Sequence, residues 1–297
     1  MGNVIVSPIK SLGKKTGLID WINDIILKSP ADVTKANWIE PFFGTGVVGF
    51  NSPVSGMHVV GDTNPYIISF YQSIQDGAVT SENARVFLEE ESVRLSESAD
   101  AGYAYYREVK DRFNKQHNPL DFLFLSRAAF NGMIRFNRKG EWNVPFCKNP
   151  DRFSSAYITK ICNQVKAVQY IIESGDWRFC CQGFEKTIEE AQKGDIIYCD
   201  PPYFGRYTEY FNSWTEKDEK KLFDMLSASE AYFIMSTWHH DAMKVNPMIA
   251  RYWDRFNVLT QDYFYRNGAK TKNRPAVTEA LICNFEPSEI SNTASLF

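Results

Sequence analysis

Residues 194–203 read Gly194-Asp195-Ile196-Ile197-Tyr198-Cys199-Asp200-Pro201-Pro202-Tyr203, and their reading decides the fold. Ile196 to Cys199 is a short apolar run with β-branched and aromatic residues, the composition of a buried strand. It stops abruptly, because Pro201 and Pro202 cannot donate to a ladder and hold φ near one value. A carboxylate, Asp200, stands at the stop. Open α/β sheets with buried parallel strands bind ligands in the crevice beyond their carboxyl ends. An Asp-Pro pair alone is most simply a turn. A Pro-Tyr continuation after a buried strand favours a functional carboxylate.

Toward the amino end, Asn37-Trp-Ile-Glu40 predicts another short strand. It is followed by Pro41-Phe-Phe-Gly44-Thr-Gly46-Val-Val-Gly49-Phe-Asn51. Gly44, Gly46 and Gly49 satisfy G-x-G-x-x-G, after a strand and ahead of an expected helix. Glycines there let the backbone turn tightly and approach a cofactor, although glycines also serve merely to pack a helix on a sheet. Val59-Val60-Gly61 then predicts a strand ending at Asp62, the position of an acid that holds a ribose diol. Together these point to an adenosine-type cofactor, and NAD remains open at this stage. Before them, a polar, lysine-bearing loop over residues 7–17 leads into an amphipathic helix with Leu18, Ile19, Ile22, Ile25 and Ile26 on one face.

From Tyr71 to Asn118 the strand–helix alternation is interrupted by charged, helical sequence. Phe87, Leu88, Leu95, Tyr103, Tyr106, Val109 and Phe113 are spaced for helices packing on one another. Met133-Ile-Arg135-Phe-Asn137, a turn at Arg138-Lys139-Gly140, and Glu141-Trp142-Asn143-Val-Pro-Phe146 predict a β-hairpin. Arg127, Arg135, Arg138, Lys139, Lys148 and Arg152 face only Glu141 and Asp151 nearby. Such a stretch is either an ordinary solvated hairpin or a surface for phosphates and base edges. The expected division is an α/β core over residues 1–71 and 156–297, with an inserted subdomain over 72–155.

The α/β pattern then resumes. A helix is expected over 156–174, strands at Trp177–Cys181 and Tyr232–Ser236, and helices over 185–192 and 216–227. A strand at Tyr263–Tyr265 and a last one at Thr278–Asn284 complete the pattern. The net charge of −3 excludes a generic polycation, so any nucleic-acid contact must be a local patch. The six cysteines show no metal-ligand spacing, and His239-His240 lacks a third ligand; core thiols in a reducing cytoplasm are expected. No signal core or membrane-length apolar run is present in the sequence.

These motifs, in this order, resemble the α-type adenine-N6 DNA methyltransferases, the Dam family of the D12 class. The likeness runs from Lys10 to about Asn284. It is carried by Ile9-Lys-Ser, Glu-Pro-Phe-x-Gly-Thr-Gly-Val-Val, Asp-Thr-Asn-Pro, Phe-Asn-Gly-Met-Ile-Arg-Phe-Asn and Asp-Pro-Pro-Tyr. The resemblance implies a Rossmann-like, S-adenosylmethionine-dependent methyltransferase sheet with an inserted helical target-recognition domain carrying a β-hairpin. It implies methyl transfer to N6 of an adenine flipped out of double-stranded DNA, with S-adenosyl-L-homocysteine as product and no metal. Asp200, Pro201, Pro202 and Tyr203 would be catalytic. Lys10, Lys15, Glu40, Phe43, Gly44, Gly46, Asp62, Phe184 and Asp200 would hold the cofactor. Lys10, Arg127, Phe130, Asn131, Arg135, Asn137, Arg138 and Lys148 would meet DNA at a GAT-containing site, extended to GATATC in the member of the family it resembles most. A cognate restriction endonuclease acting separately is the implied partner, and no membrane is. Ser11 departs from the family, whose members often carry an aromatic there. The rival readings are an RNA adenine methyltransferase, a glutamine methyltransferase, a DNA-binding relative without chemistry, and an NAD-dependent enzyme. The last leaves Asp-Pro-Pro-Tyr and the basic hairpin unexplained.

Overall fold

The computed structural model describes residues 3–11, 13, 15–205, 214–263 and 277–288. Seven strands form one sheet: β1 (Trp38–Glu40), β2 (His58–Asp62), β3 (Trp177–Cys181), β4 (Ile196–Cys199), β5 (Tyr232–His240), β6 (Asn257–Tyr263) and β7 (Val277–Cys283). Their order is β3-β2-β1-β4-β5-β7-β6. β1 to β5 run parallel, and β7 lies antiparallel between β5 and β6. The chain therefore steps outward from β1 to β3 and returns to β4, making the gap between β1 and β4 the switch point where such sheets open a crevice. This is the expected Rossmann-like sheet.

β4 shows why the sheet forms. All four of its residues are fully buried, and the two-residue period sends them to opposite faces. Ile196 and Tyr198 join one apolar cluster, while Ile197 and Cys199 join the other. Helices cover both faces. Helix α1 (Ile19–Leu27) buries Ile19, Ile22, Ile25 and Ile26 along one stripe. Helix α2 (Pro65–Gln75) is started by Asn64, whose side chain accepts from the backbone of Tyr66 and Ile67, with Pro65 in its first turn. The expected junction at residues 71–72 falls inside this continuous helix.

The helical stretch continues as α3 (Ser81–Glu97), α4 (Tyr103–Gln116), α5 (Pro119–Ala128) and α6 (Ser155–Ser174). Leu88, Tyr106, Phe113 and Trp142 share one apolar cluster with Val60 and Ile196 of the sheet, so these helices and the sheet have a common core. Buried Glu91 and Asp121 are both held by Arg112, at 3.0 Å to Glu91 and 2.9 Å from Nε to Asp121. That ties α3, α4 and α5 together.

The hairpin is less regular than expected. Its arms meet in isolated bridges, Phe136 with Trp142 and Ala129 with Phe146. Side chains take the ladder's acceptors: Arg135 donates to the Asn143 carbonyl and Tyr106 to the Val144 carbonyl, while Pro145 has no donor. Other boundaries shift too. β5 runs on to His240 rather than stopping at Ser236, helix α7 is only Phe184–Ile188, and β6 ends where the strand at 263–265 was expected to begin. Residues 264 and 265 lie outside the described residues. Cys162, Cys199 and Cys283 are core thiols, whereas Cys181 is exposed. No described helix is long and apolar enough to cross a membrane.

Candidate active site

Asp200 stands immediately beyond β4, at the switch point. Its Oδ1 accepts from Lys15 Nζ at 2.7 Å and from Ser236 Oγ at 2.8 Å, and its Oδ2 accepts from the same Nζ at 2.9 Å. Ser236 in turn accepts from the Tyr198 hydroxyl at 3.1 Å. Tyr198 and Asp200 are two residues apart and so face the same way. Burial of Tyr198 raises its pKa well above that of an ordinary phenol, so the hydroxyl stays a donor. Beyond the prolines, the Tyr203 ring lies 5.0 Å from Lys15 Nζ, and its hydroxyl donates to Glu279 Oε2 at 2.6 Å.

The turn after β1 supplies the other wall. Phe43 N–H donates to Gly61 and Gly46 N–H to Phe43, folding the chain back over the ends of β1 and β2. Gly44 (φ +50°) and Gly46 (φ +71°) take left-handed conformations for different reasons. A Cβ on Gly44 would meet nothing within 4 Å, so its backbone faces open space. A Cβ on Gly46 would run into the rings of Phe43 and Phe50. Asp62 accepts from Gly44 N–H at 2.8 Å and from Asn64 N–H at 2.7 Å. The expected helix does not follow the glycines. Only a three-residue turn, Gly49–Asn51, is present, because Asn51 Nδ2 bonds back to Val47 and Ile5 and Pro53 comes next.

Charge decides what such a cleft accepts. Ser11, Lys15, Glu40, Phe43, Gly44 and Asp200 line one hollow. Glu40 is almost wholly buried and accepts from Trp38 Nε1 at 2.9 Å. Burial pushes its carboxyl well above the usual carboxylate range, with the nearby charges of Asp200 and Asp62 adding to the effect. Burial raises Asp62 as well. The carboxyl groups of Glu40, Asp62 and Asp200, the last paired with the Lys15 ammonium, surround one glycine turn and offer acceptors to the ammonium and hydroxyl groups of a ligand.

The sequence model for the D12 class N6 adenine-specific DNA methyltransferases matches residues 11–267. The chain belongs to this family. It is 26% identical over 291 residues to the type II methyltransferase M.FokI of Planomicrobium okeanokoites, covering 95% of this chain and 43% of that protein. With type II methyltransferase M1.LlaDCHI of Lactococcus lactis subsp. cremoris the identity is 27% over 268 residues, 84% of this chain and 86% of the relative. With the DNA adenine methylase of Haemophilus influenzae it is 32% over 201 residues, 66% and 63% of the two chains. The chain thus spans less than half the length of the first relative and most of the second.

The residues expected to form the site are only partly brought together in this chain. Lys15, Glu40, Phe43, Gly44 and Asp200 meet at the cleft, with Asp62 bonded to the glycine turn and Gly46 shaping it. Phe184 stacks on Phe42, at 5.4 Å between centroids, in the cluster on the other face of the sheet. Lys10 lies apart from the cleft-lining residues, its stem running where a Cβ on Gly132 would be. Burial, with Arg152 and Arg127 close by, lowers the pKa of its ammonium. Phe130, Asn131, Arg138 and Lys148 are exposed, and Arg135 is half-exposed.

Two expected DNA contacts have internal partners instead. Arg127 donates to the carbonyls of Pro8 and Ser7 and to the Gln164 side chain; burial lowers its pKa to about 10. Asn137 organises the hairpin turn, accepting from Lys139 and Glu141 N–H and donating to the Glu141 carboxylate. Conversely, Ser236 and Glu279 reach the site without having been singled out. Ser236 ends an apolar strand run and looks like a stop signal. Glu279 did leave a trace, as an acid among the apolar residues of the last strand.

Proposed function

We propose that this chain transfers a methyl group from S-adenosylmethionine to N6 of an adenine turned out of duplex DNA. The observation that carries the reading is the placement of Asp200, locked by Lys15 and Ser236, beside an open glycine turn ringed by carboxyl groups. The residues fit the cofactor, since the carboxyl groups of the cleft offer acceptors to its ammonium and Asp62 offers one to its ribose. Lys15, Glu40, Phe43, Gly44, Gly46, Asp62 and Asp200 would hold it, with Phe184 beneath Phe42 on the adenine side. When bound, it supplies a methyl group already activated on a sulfonium.

The chain's own task is to make N6 a nucleophile and to place it. The N6 lone pair is delocalised into the ring, so acceptors aimed at the amino hydrogens draw it toward tetrahedral geometry and stabilise developing positive charge. The Asp200 carboxylate and the Pro201 carbonyl are those acceptors, and Pro202 keeps their backbone rigid. Asp200 already accepts from Lys15 and Ser236. It therefore acts as a hydrogen-bond acceptor, not a base that removes a proton early. Tyr203 offers a ring on which the extruded base stacks, offsetting an unstacking cost of about a few kcal/mol. Holding the reactants in line supplies much of the remaining acceleration.

On the DNA side, Arg135 is tethered to Asn143, with Nε 3.0 Å from Oδ1 and Nη2 3.1 Å from the carbonyl. The tether sets the plane of a guanidinium suited to a guanine edge. Phe130, Asn131, Arg138, Lys148 and Lys10 complete the surface, at a GAT-containing site with GATATC as the full hexamer. A separate endonuclease reading the same site and a cytoplasmic location belong to this reading. Labelled S-adenosylmethionine offered with duplex DNA, structured RNA or protein tests it. Label on duplex DNA is expected, and label on RNA or protein alone contradicts the reading.

A further inference from the structure

Glu279 occupies a position where the sheet calls for an apolar side chain. In β7 it lies on the same face as Leu281 and Cys283, both members of the larger apolar cluster. It pairs across the sheet with Trp238 on β5 and Gln261 on β6, and only 1% of its surface is exposed. A carboxyl group buried in this way is costly unless it is hydrogen-bonded. The Tyr203 hydroxyl donates to it at 2.6 Å, across 76 residues of sequence. The two prolines fix the backbone before Tyr203 but leave its ring torsions undetermined, and residues 200–203 have no regular secondary structure to hold the ring.

We propose that Glu279 is a positioning residue for the methyl-transfer reaction, holding the Tyr203 ring in the plane on which the target base stacks. The proposal rests on the methyltransferase reading above and adds a residue to it. With its hydroxyl bonded to Glu279 and Lys15 Nζ over the ring, the tilt of the Tyr203 ring is fixed. An acceptor at the hydroxyl also enriches the ring in electrons, which strengthens its attraction for a base gaining positive charge at N6. Glu279 touches neither base nor cofactor in this scheme.

The test is a double-mutant cycle on single-turnover methyl transfer to duplexes with adenine at the target position, with separate duplexes carrying 2-aminopurine there to report base extrusion. Glu279→Leu should slow transfer about tenfold or more and reduce the fluorescence rise. The KM for S-adenosylmethionine should stay within about twofold. Glu279→Gln keeps an oxygen for the phenol to donate to and should recover most of the rate. In a Tyr203→Phe background, Glu279→Leu should cost less than about twofold more. Unchanged transfer in Glu279→Leu, or its full loss repeated in the Tyr203→Phe background, overturns the proposal. If Glu279→Leu does not fold, Tyr203→Phe decides, because it removes the same bond while leaving the Glu279 side chain in place. Wild-type rate and fluorescence in Tyr203→Phe overturn the proposal, and a loss in both supports it. A wild-type protein that transfers no methyl group overturns the functional reading and this proposal together. Losses that multiply on an active wild type overturn the proposal alone.

Discussion

Lys15 and Asp200 are 185 residues apart in sequence, and their contact fixes the carboxylate to which the proposed chemistry is assigned. The Lys15 side chain is 4% exposed and that of Asp200 24%, so removing one leaves the other poorly compensated. Lys15→Met should lower methyl transfer by about ten- to a hundredfold while duplex affinity stays within about a few-fold. Gel-shift and initial-rate measurements on the same preparation check this, and an equal loss in both would mean that Lys15 binds DNA. Asp200 and its prolines were legible in the sequence because an acid followed by two prolines both ends a buried strand and leaves a carboxylate at its carboxyl end. The contacts of these residues were not legible. Lys15 was expected at the cofactor, but its pairing with Asp200 comes from a loop of no fixed period, and Ser236 at Asp200 and Glu279 at Tyr203 arrive through strand pairings that one sequence does not display.

At the scale of elements, legibility followed burial. β4 and β5 read clearly because both faces are covered and the apolar run is continuous. β6 was displaced in the sequence reading because its residues are half-exposed or exposed, leaving little period to detect. Helix α2 was hidden by a change of character expected at Tyr71, in the middle of one helix. The hairpin turn was visible, but its irregular arms were not, since Arg135 and Tyr106 occupy carbonyls that a ladder would use. In the proposed function, that same tether makes the hairpin a reading device. Arg135→Ala should relax sequence choice more than it weakens S-adenosylmethionine binding, with discrimination at one base pair reduced by about 1–3 kcal/mol. Methylation rates on a panel of duplexes with single-base changes measure this. A uniform loss on every duplex would make Arg135 a phosphate contact.

The sheet carries an apolar cluster on each face, the larger shared with the inserted helices, and the stability of the fold carries a pH signature. His58 stacks on Trp177, with centroids 4.2 Å apart, and burial lowers its pKa from 6.5 to about 4. Between those values the unfolded chain binds the proton and the folded chain does not. The contribution of His58 is therefore fully present above about pH 6.5 and lost as pH falls toward 4. Urea denaturation at pH 7 and pH 5 should show a larger loss of stability for the wild type than for His58→Phe; equal losses would place the pH sensitivity elsewhere. The central claim, adenine-N6 methylation of duplex DNA through Asp200, is tested most directly by exposing DNA free of adenine methylation to the protein and S-adenosylmethionine and mapping N6-methyladenine base by base. The modified base is expected at one GAT-containing sequence, and none with Asp200→Ala. Methylation on another base or at another atom, or undiminished marking by Asp200→Ala, would contradict it.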